Sequence, residues 1–97
     1  MAERILQDIA EQKKRLTKAQ INQDTAENAD AYCKLGDAYY SLGDVQQALK
    51  YHKQHWSIVK KLGDREGERL AYHNLGKDSR KIGDFQRVIE YLSLIHI

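Results

Sequence analysis

The sequence repeats itself at an offset of forty residues, and this regularity constrains the fold more than any other feature. Residues 31–51 read AYCKLGDAYYSLGDVQQALKY, and residues 71–91 read AYHNLGKDSRKIGDFQRVIEY. The shared residues are Ala31, Tyr32, Leu35, Gly36, Gly43, Asp44, Gln46 and Tyr51, which return as Ala71, Tyr72, Leu75, Gly76, Gly83, Asp84, Gln86 and Tyr91. Because self-similarity at a fixed period of about 20–50 residues is the signature of stacked arrays, we expect a solenoid.

Each copy has the hydrophobic spacing of two helices. In the first copy Tyr32, Leu35, Tyr39 and Leu42 are three, four and three residues apart, the spacing of one helical face. A second helix continues the same periodicity through Val45, Ala48, Leu49, His52, Trp56, Val59 and Leu62. We expect core positions for Trp56 and for Tyr32, Tyr39, Tyr51, Tyr72 and Tyr91.

Glycine is followed by aspartate at regular intervals, at residues 43–44, 63–64 and 83–84. Glycine suits the left-handed position just past a helix C-terminus, and aspartate suits the N-cap of the next helix. Gln47, three residues beyond Asp44, completes a capping-box pattern. These signals predict one helix about every twenty residues.

The remaining sequence predicts a helix over about residues 2–21 and another from about 26 to 42. The predicted fold is therefore an all-α solenoid of antiparallel helix hairpins with about five helices. We expect an N-terminal helix in residues 1–25, a first repeat in 26–63 and a second repeat in 64–97, whose last helix is truncated.

Gly36 lies inside a predicted helix, where glycine costs about 1 kcal/mol relative to alanine. Its return as Gly76 predicts that the two helices of each pair approach too closely there for a side chain. The alternative is that both glycines are simply tolerated by their helices.

The first copy resembles the tetratricopeptide repeat, on the strength of Tyr32, Leu35-Gly36, Tyr39 and Ala48. The forty-residue period and the recurring Leu-Gly-Asp are similar to a longer variant, found in Pins-type G-protein-signalling modulators and in multi-repeat scaffold proteins. This resemblance implies a TPR-like fold and a scaffold or adaptor module that binds other proteins and performs no chemistry. The second copy departs from the pattern at Ser79 and Val88, so we expect its packing to be looser or shifted.

The resemblance also implies that the first helix of each repeat lines a concave groove, which binds a peptide or a helix of a partner. The implied groove residues are Asp30, Cys33, Asp37, Tyr40, Leu70, His73, Lys77 and Arg80, with Lys34 and Asn74 alongside. Lys77, Arg80 and Lys81, set against Asp78, form a basic strip that favours an acidic peptide or a carboxylate. The alternative is that these are ordinary solvated charges.

Charge and composition exclude several other classes. Sixteen Lys and Arg against fourteen Asp and Glu leave a net charge of +2, too balanced for a nonspecific nucleic-acid or membrane binder. An RNA-binding helical repeat is the alternative function, but such arrays have periods of about 35 residues and a basic groove. No apolar stretch approaches the roughly 18 residues of a membrane span. A single cysteine, Cys33, predicts a reducing, cytoplasmic location.

Two pairs of residues could in principle form a metal site or a catalytic site. His52 and His55, spaced i and i+3, could both ligate a metal, but no third ligand accompanies them and both lie on the packing face. Cys33 and His73 occupy equivalent positions, and a Cys–His pair can activate a thiolate, but nothing supplies an orienting third group. We therefore expect no enzyme activity, metal or cofactor.

The C-terminal residues 92–97 read LSLIHI and no longer match their counterparts at 52–57, HKQHWS. Barely two repeats leave apolar surface at the ends of an array, since solenoids usually need about three repeats and polar caps. We expect the chain to be a fragment of a longer array, with self-association through its exposed ends.

Overall fold

The computed structural model describes residues 2–21, 23, 25–84, 86, 87 and 90. Its helices are α1 (Ala2–Ile21), α2 (Thr25–Leu42), α3 (Val45–Leu62) and α4 (Arg65–Ile82). The all-helical class is as predicted, but the described part of the chain holds four complete helices and not the expected five. Of the residues after Asp84, only Gln86, Arg87 and Glu90 are described, and they are helical.

Short turns separate α2, α3 and α4, and they have the capping chemistry that the sequence predicts. The carboxylate of Asp44 accepts a hydrogen bond from the backbone N–H of Gln47 at 3.2 Å, and Asp64 accepts one from Gly67 at 2.9 Å. Each preceding glycine has a positive φ, namely 93° at Gly43, 69° at Gly63 and 94° at Gly83. Because side chains disfavour this region, glycine ends each helix and the chain reverses direction at once.

Each helix packs against the next, in the order α1, α2, α3 and α4. The apolar residues that the two copies share have equal burial: Leu35 and Leu75 are both fully buried, as are Ala31 and Ala71. At these shared core positions α2 and α4 are packed alike.

A small apolar core joins α2, α3 and α4. Ala29, Val59 and Ala71 form a buried cluster, against which Trp56 and Ile58 pack. The indole of Trp56 also lies 6.0 Å from the ring of Tyr72, measured between ring centroids. The expected core position of Trp56 is therefore confirmed.

Stacked tyrosines join α2 to α3. The ring of Tyr51 lies between those of Tyr39 and Tyr32, with centroid distances of 5.4 and 6.1 Å. All three residues are half-buried, so the core positions expected for them are only partly shielded from solvent. Tyr91, the counterpart of Tyr51 in the second copy, lies outside the described residues.

The predicted close approach at Gly36 is confirmed, since a Cβ built there would overlap the imidazole of His52. The residue is buried in the contact between α2 and α3. Gly76 is also buried, but the second helix of its pair lies largely outside the described residues.

The N-terminal helix α1 packs on α2 through an apolar face that includes Ile9 and Ala19, both buried. Leu6 and Ile21, on another face of α1, are more than half exposed. Over the described ranges, no helix combines the length and the apolar character needed to cross a membrane.

Candidate binding groove

The residues expected to line the groove lie on α2 and α4, the first helices of the two repeats. We call this set the inner wall. Six of its side chains are exposed, namely Asp30, Lys34, Asp37, Leu70, His73 and Arg80. Two are half-buried, Tyr40 and Lys77, and two are buried, Cys33 and Asn74.

Two contacts join α2 and α4 across the inner wall. The side-chain amide of Asn74 donates a hydrogen bond to the sulfur of Cys33 at 3.7 Å. The ammonium group of Lys77 lies 4.5 Å from the ring centroid of Tyr40, the geometry of a cation–π contact. The structure thus brings together predicted residues from both repeats, and the amide of Asn74 is partly engaged within the protein.

The acidic side of the inner wall is compensated by cations of the same molecule. The carboxylate of Asp30 lies 2.8 Å from the guanidinium of Arg15 and 3.4 Å from the ammonium of Lys34. Burial alone would raise the pKa of Asp30, but the hydrogen bonds and positive charges of Arg15 and Lys34 together outweigh it, and the pKa is lowered. Asp37 lies 3.0 Å from Nε2 of His52.

Asp78 is not part of the inner wall, contrary to the prediction that its charge opposes the basic strip. Its side chain is fully buried and hydrogen-bonds Nδ1 of His52. The reason is its place on α4, since position 78 lies on the side of that helix that faces α3. The corresponding residue of the first copy is Ala38. The comparison of the two copies contains this signal, because a carboxylate replaces a small apolar residue there.

The basic side of the inner wall therefore lacks the acidic neighbour that the sequence suggests. Arg80 and Lys81 are exposed at the C-terminal end of α4, and neither forms an ion pair with another described residue. Lys77 is half-buried beside Tyr40, and Leu70 exposes 46 % of its surface at the other end of the helix. The arrangement offers cations and apolar surface on one helix.

The geometry at Cys33 does not favour an activated thiolate. Burial, followed by the charges of Asp37 and Asp30, raises the pKa of the Cys33 thiol to about 12. The thiol is therefore protonated near neutral pH. His73 is exposed, and it is the neighbouring Asn74 that contacts the sulfur.

The two histidines of α3 lie in the packing between helices. His52 and His55 are both buried, as the packing interpretation predicted. Among the residues that the structure describes, no group of three or more His, Cys, Asp or Glu side chains could hold a metal ion.

Antiparallel helix pairs with a forty-residue period and one shared wall define a helical-repeat protein. The sequence model of the tetratricopeptide repeat matches residues 27–93, more than half of the chain. The chain therefore belongs to the tetratricopeptide repeat family.

Two comparisons accompany this match. The chain is 40% identical over 54 residues to human G-protein-signaling modulator 1, a match that covers 56% of this chain but only 8% of that protein. The TPR domain of Arabidopsis FLU has a TM-score of 0.83 at 24% sequence identity, covering 90% of this chain and 73% of that chain. The second likeness concerns the fold alone.

Family membership makes the chain a protein–protein interaction module, since that is the role of the TPR fold, and TPR domains are typically not enzymes. The comparisons give no support to the RNA-binding alternative. The activity of the longer relative belongs to that protein, because the matched segment is a small part of it.

Proposed function

We propose that the inner wall binds an acidic segment of a partner protein, in an extended or helical conformation. One observation carries this proposal. The carboxylates on and beside the wall have internal cationic partners, whereas Arg80 and Lys81 are exposed cations that form no ion pair with another described residue. The potential that the wall presents to a ligand is thus more positive than its residue count suggests.

Two basic side chains of α4 would contribute to binding an acidic ligand in different ways. The guanidinium of Arg80 is planar and can bind a carboxylate through two parallel hydrogen bonds, which fixes the orientation of the ligand. The ammonium of Lys77 acts as a point charge, and its cation–π contact with Tyr40 limits its motion at 4.5 Å from the ring. Because Lys77 is half-buried, its attraction for an anion is screened less than that of a fully exposed lysine.

The proposal is tested by fluorescence anisotropy with two labelled peptides of equal length, one rich in Glu and Leu and one in which Lys replaces Glu. We expect the acidic peptide to bind and its affinity to fall as the salt concentration rises. The double variant Lys77→Ala/Arg80→Ala should weaken binding at least about tenfold, because hydrogen bonds to charged groups contribute about 1.5–3 kcal/mol each.

A matched control removes the same charge from another helix. Lys14 and Lys18 are exposed on α1, which packs on α2 and lies away from α4. The double variant Lys14→Ala/Lys18→Ala should leave the affinity within about twofold. Equal weakening by both double variants would indicate unspecific attraction by net charge. An affinity unchanged by Lys77→Ala/Arg80→Ala would remove the inner wall as the binding site.

A further inference from the structure

The imidazole of His52 lies between two carboxylates that belong to different repeats. Its Nε2 is 3.0 Å from Oδ1 of Asp37 on α2, and its Nδ1 hydrogen-bonds Oδ2 of Asp78 on α4. The side chains of His52 and Asp78 are fully buried, while that of Asp37 is 52% exposed. We call these three residues the His52 cluster.

The hydrogen-bond geometry fixes the number of protons in this cluster. A neutral imidazole carries one N–H and can donate to only one carboxylate, whereas an ionised carboxylate can only accept. Both ring nitrogens face carboxylate oxygens, so the second hydrogen bond needs one more proton. With both hydrogen bonds formed, the cluster holds one proton more than a neutral imidazole beside two ionised carboxylates. This corresponds to an imidazolium, with a proton on each ring nitrogen, between two carboxylates.

Burial makes this proton important for packing. Oδ1 of Asp78 has no hydrogen-bond partner among the described residues, so His52 alone compensates the carboxylate there. A buried carboxylate that loses its cation is strongly unfavourable, since breaking such a pair costs more than the pair itself contributes. The packing of α4 against α3 thus includes a buried carboxylate that is compensated by one side chain of α3.

We propose that the His52 cluster is a proton-dependent link between the two repeats, which holds α4 in place while the proton is bound and weakens when the proton leaves. The link needs both His52 and Asp78. It goes beyond peptide binding, because its effect is on the stability of the chain in the absence of any partner.

The direction of the pH dependence follows from the groups around His52. Those that face it are Asp37 on α2, His55 on its own helix and Asp78 on α4, within the described ranges. Burial alone would lower the pKa of His52, but the hydrogen bonds to Asp37 and Asp78 raise it above 6.5. The stabilisation is therefore complete below about pH 6.5 and is lost as the pH rises through the pKa of the folded state.

The contribution of His55 to stability has the opposite dependence on pH. Burial, followed by the charge of His52, lowers the pKa of His55 below 6.5. Its contribution to stability is present above about pH 6.5 and is lost as the pH falls. The two histidines therefore act in different ranges, and measurements above pH 6.5 report on His52.

The test is thermal unfolding of the full chain between pH 6.5 and 8.5, in four forms: wild type, Asp78→Ala, His52→Leu/Asp78→Ala and His73→Gln. For the wild type we expect the unfolding constant to rise by up to about tenfold per pH unit. His73→Gln, which removes an exposed histidine, should show the same dependence. Asp78→Ala should lower Tm at pH 6.5 by at least about 10 °C.

The variant His52→Leu/Asp78→Ala keeps the proposal testable if Asp78→Ala does not fold. It replaces the buried pair by apolar residues of similar total volume and restores the alanine that the first copy has at this position, so its Tm should recover and vary little with pH. A wild-type Tm that does not change from pH 6.5 to 8.5, or a double variant with the wild-type slope, would overturn the proposal.

Nitrogen NMR of the histidine rings gives an independent readout. At pH 6.5 both ring nitrogens of His52 should carry protons in the wild type. A single protonated nitrogen at pH 6.5, with the chain folded, would also contradict the proposed link.

Discussion

The imidazole ring of His52 packs directly on the backbone of Gly36, and no side chain at position 36 fits between them. This contact brings α2 and α3 together at the level where His52 reaches Asp37 and Asp78. The glycine that repeats in the sequence is therefore part of the structural support of a buried polar cluster.

We predict that Gly36→Ala destabilises the chain by about 1–3 kcal/mol, since overpacking forces the backbone or the imidazole to move. On helix propensity alone the same change would stabilise by about 1 kcal/mol, so the two effects have opposite signs. Urea denaturation measures the difference. Ser57→Ala, at an exposed position of α3, serves as the control and should change stability by less than about 0.5 kcal/mol. A more stable Gly36→Ala variant would exclude the close contact.

A second prediction concerns the attachment of α1 to α2. The guanidinium of Arg15 donates hydrogen bonds to Glu27 and to Asp30, the latter at 2.8 Å, and its side chain is only 28% exposed. One cation shared by two carboxylates forms a small network, for which we expect about 1 kcal/mol in place of the near-zero value of most surface pairs. Arg15→Ala should lower the unfolding free energy by this amount.

The control for this measurement is Arg4→Ala, which removes an exposed arginine from the same helix. Its effect should stay within about 0.5 kcal/mol. Salt separates the electrostatic part, because the difference between Arg15→Ala and wild type should shrink in 1 M NaCl. A difference that does not depend on salt would assign the effect of Arg15 to packing of its aliphatic stem.

Much of the fold could be predicted from the sequence because recognisable sequence patterns determine it. Helical periodicity and the three Gly-Asp turns specify where α2, α3 and α4 begin and end, and the forty-residue offset specifies which positions are equivalent. The full burial of both Leu35 and Leu75 follows from that equivalence. The limits of the helices depend on neighbours a few residues apart, and the equivalent positions follow from comparing the sequence with itself.

The His52 cluster could not be predicted in the same way. His52 and Asp78 are 26 residues apart and meet only after α3 and α4 have packed, so no local pattern links them. The repeat gives no indication that His52 and Asp78 form a pair. Asp78 replaces an alanine of the first copy, and between Lys77 and Ser79 it resembles a surface charge. The burial of Cys33 and Asn74 likewise depends on the distance between α2 and α4.

The last prediction concerns the reactivity of Cys33. Its sulfur is buried and accepts a hydrogen bond from Asn74, and burial raises the pKa of the thiol to about 12. Because the thiolate is the reactive form, alkylation by iodoacetamide at pH 8 should be at least about a hundredfold slower in the folded chain than in urea. Mass spectrometry of quenched samples gives both rates.

An exposed cysteine in the same fold provides the reference for this rate. The variant Cys33→Ser/Ser57→Cys carries its thiol on the exposed side of α3 and should react at nearly the same rate in buffer and in urea. Asn74→Ala removes the amide that covers the sulfur and should speed alkylation of Cys33 in the folded state. If wild-type Cys33 reacts within about tenfold of the exposed reference, the thiol is accessible and ionises readily, and an activated Cys–His pair at Cys33 and His73 becomes the better explanation.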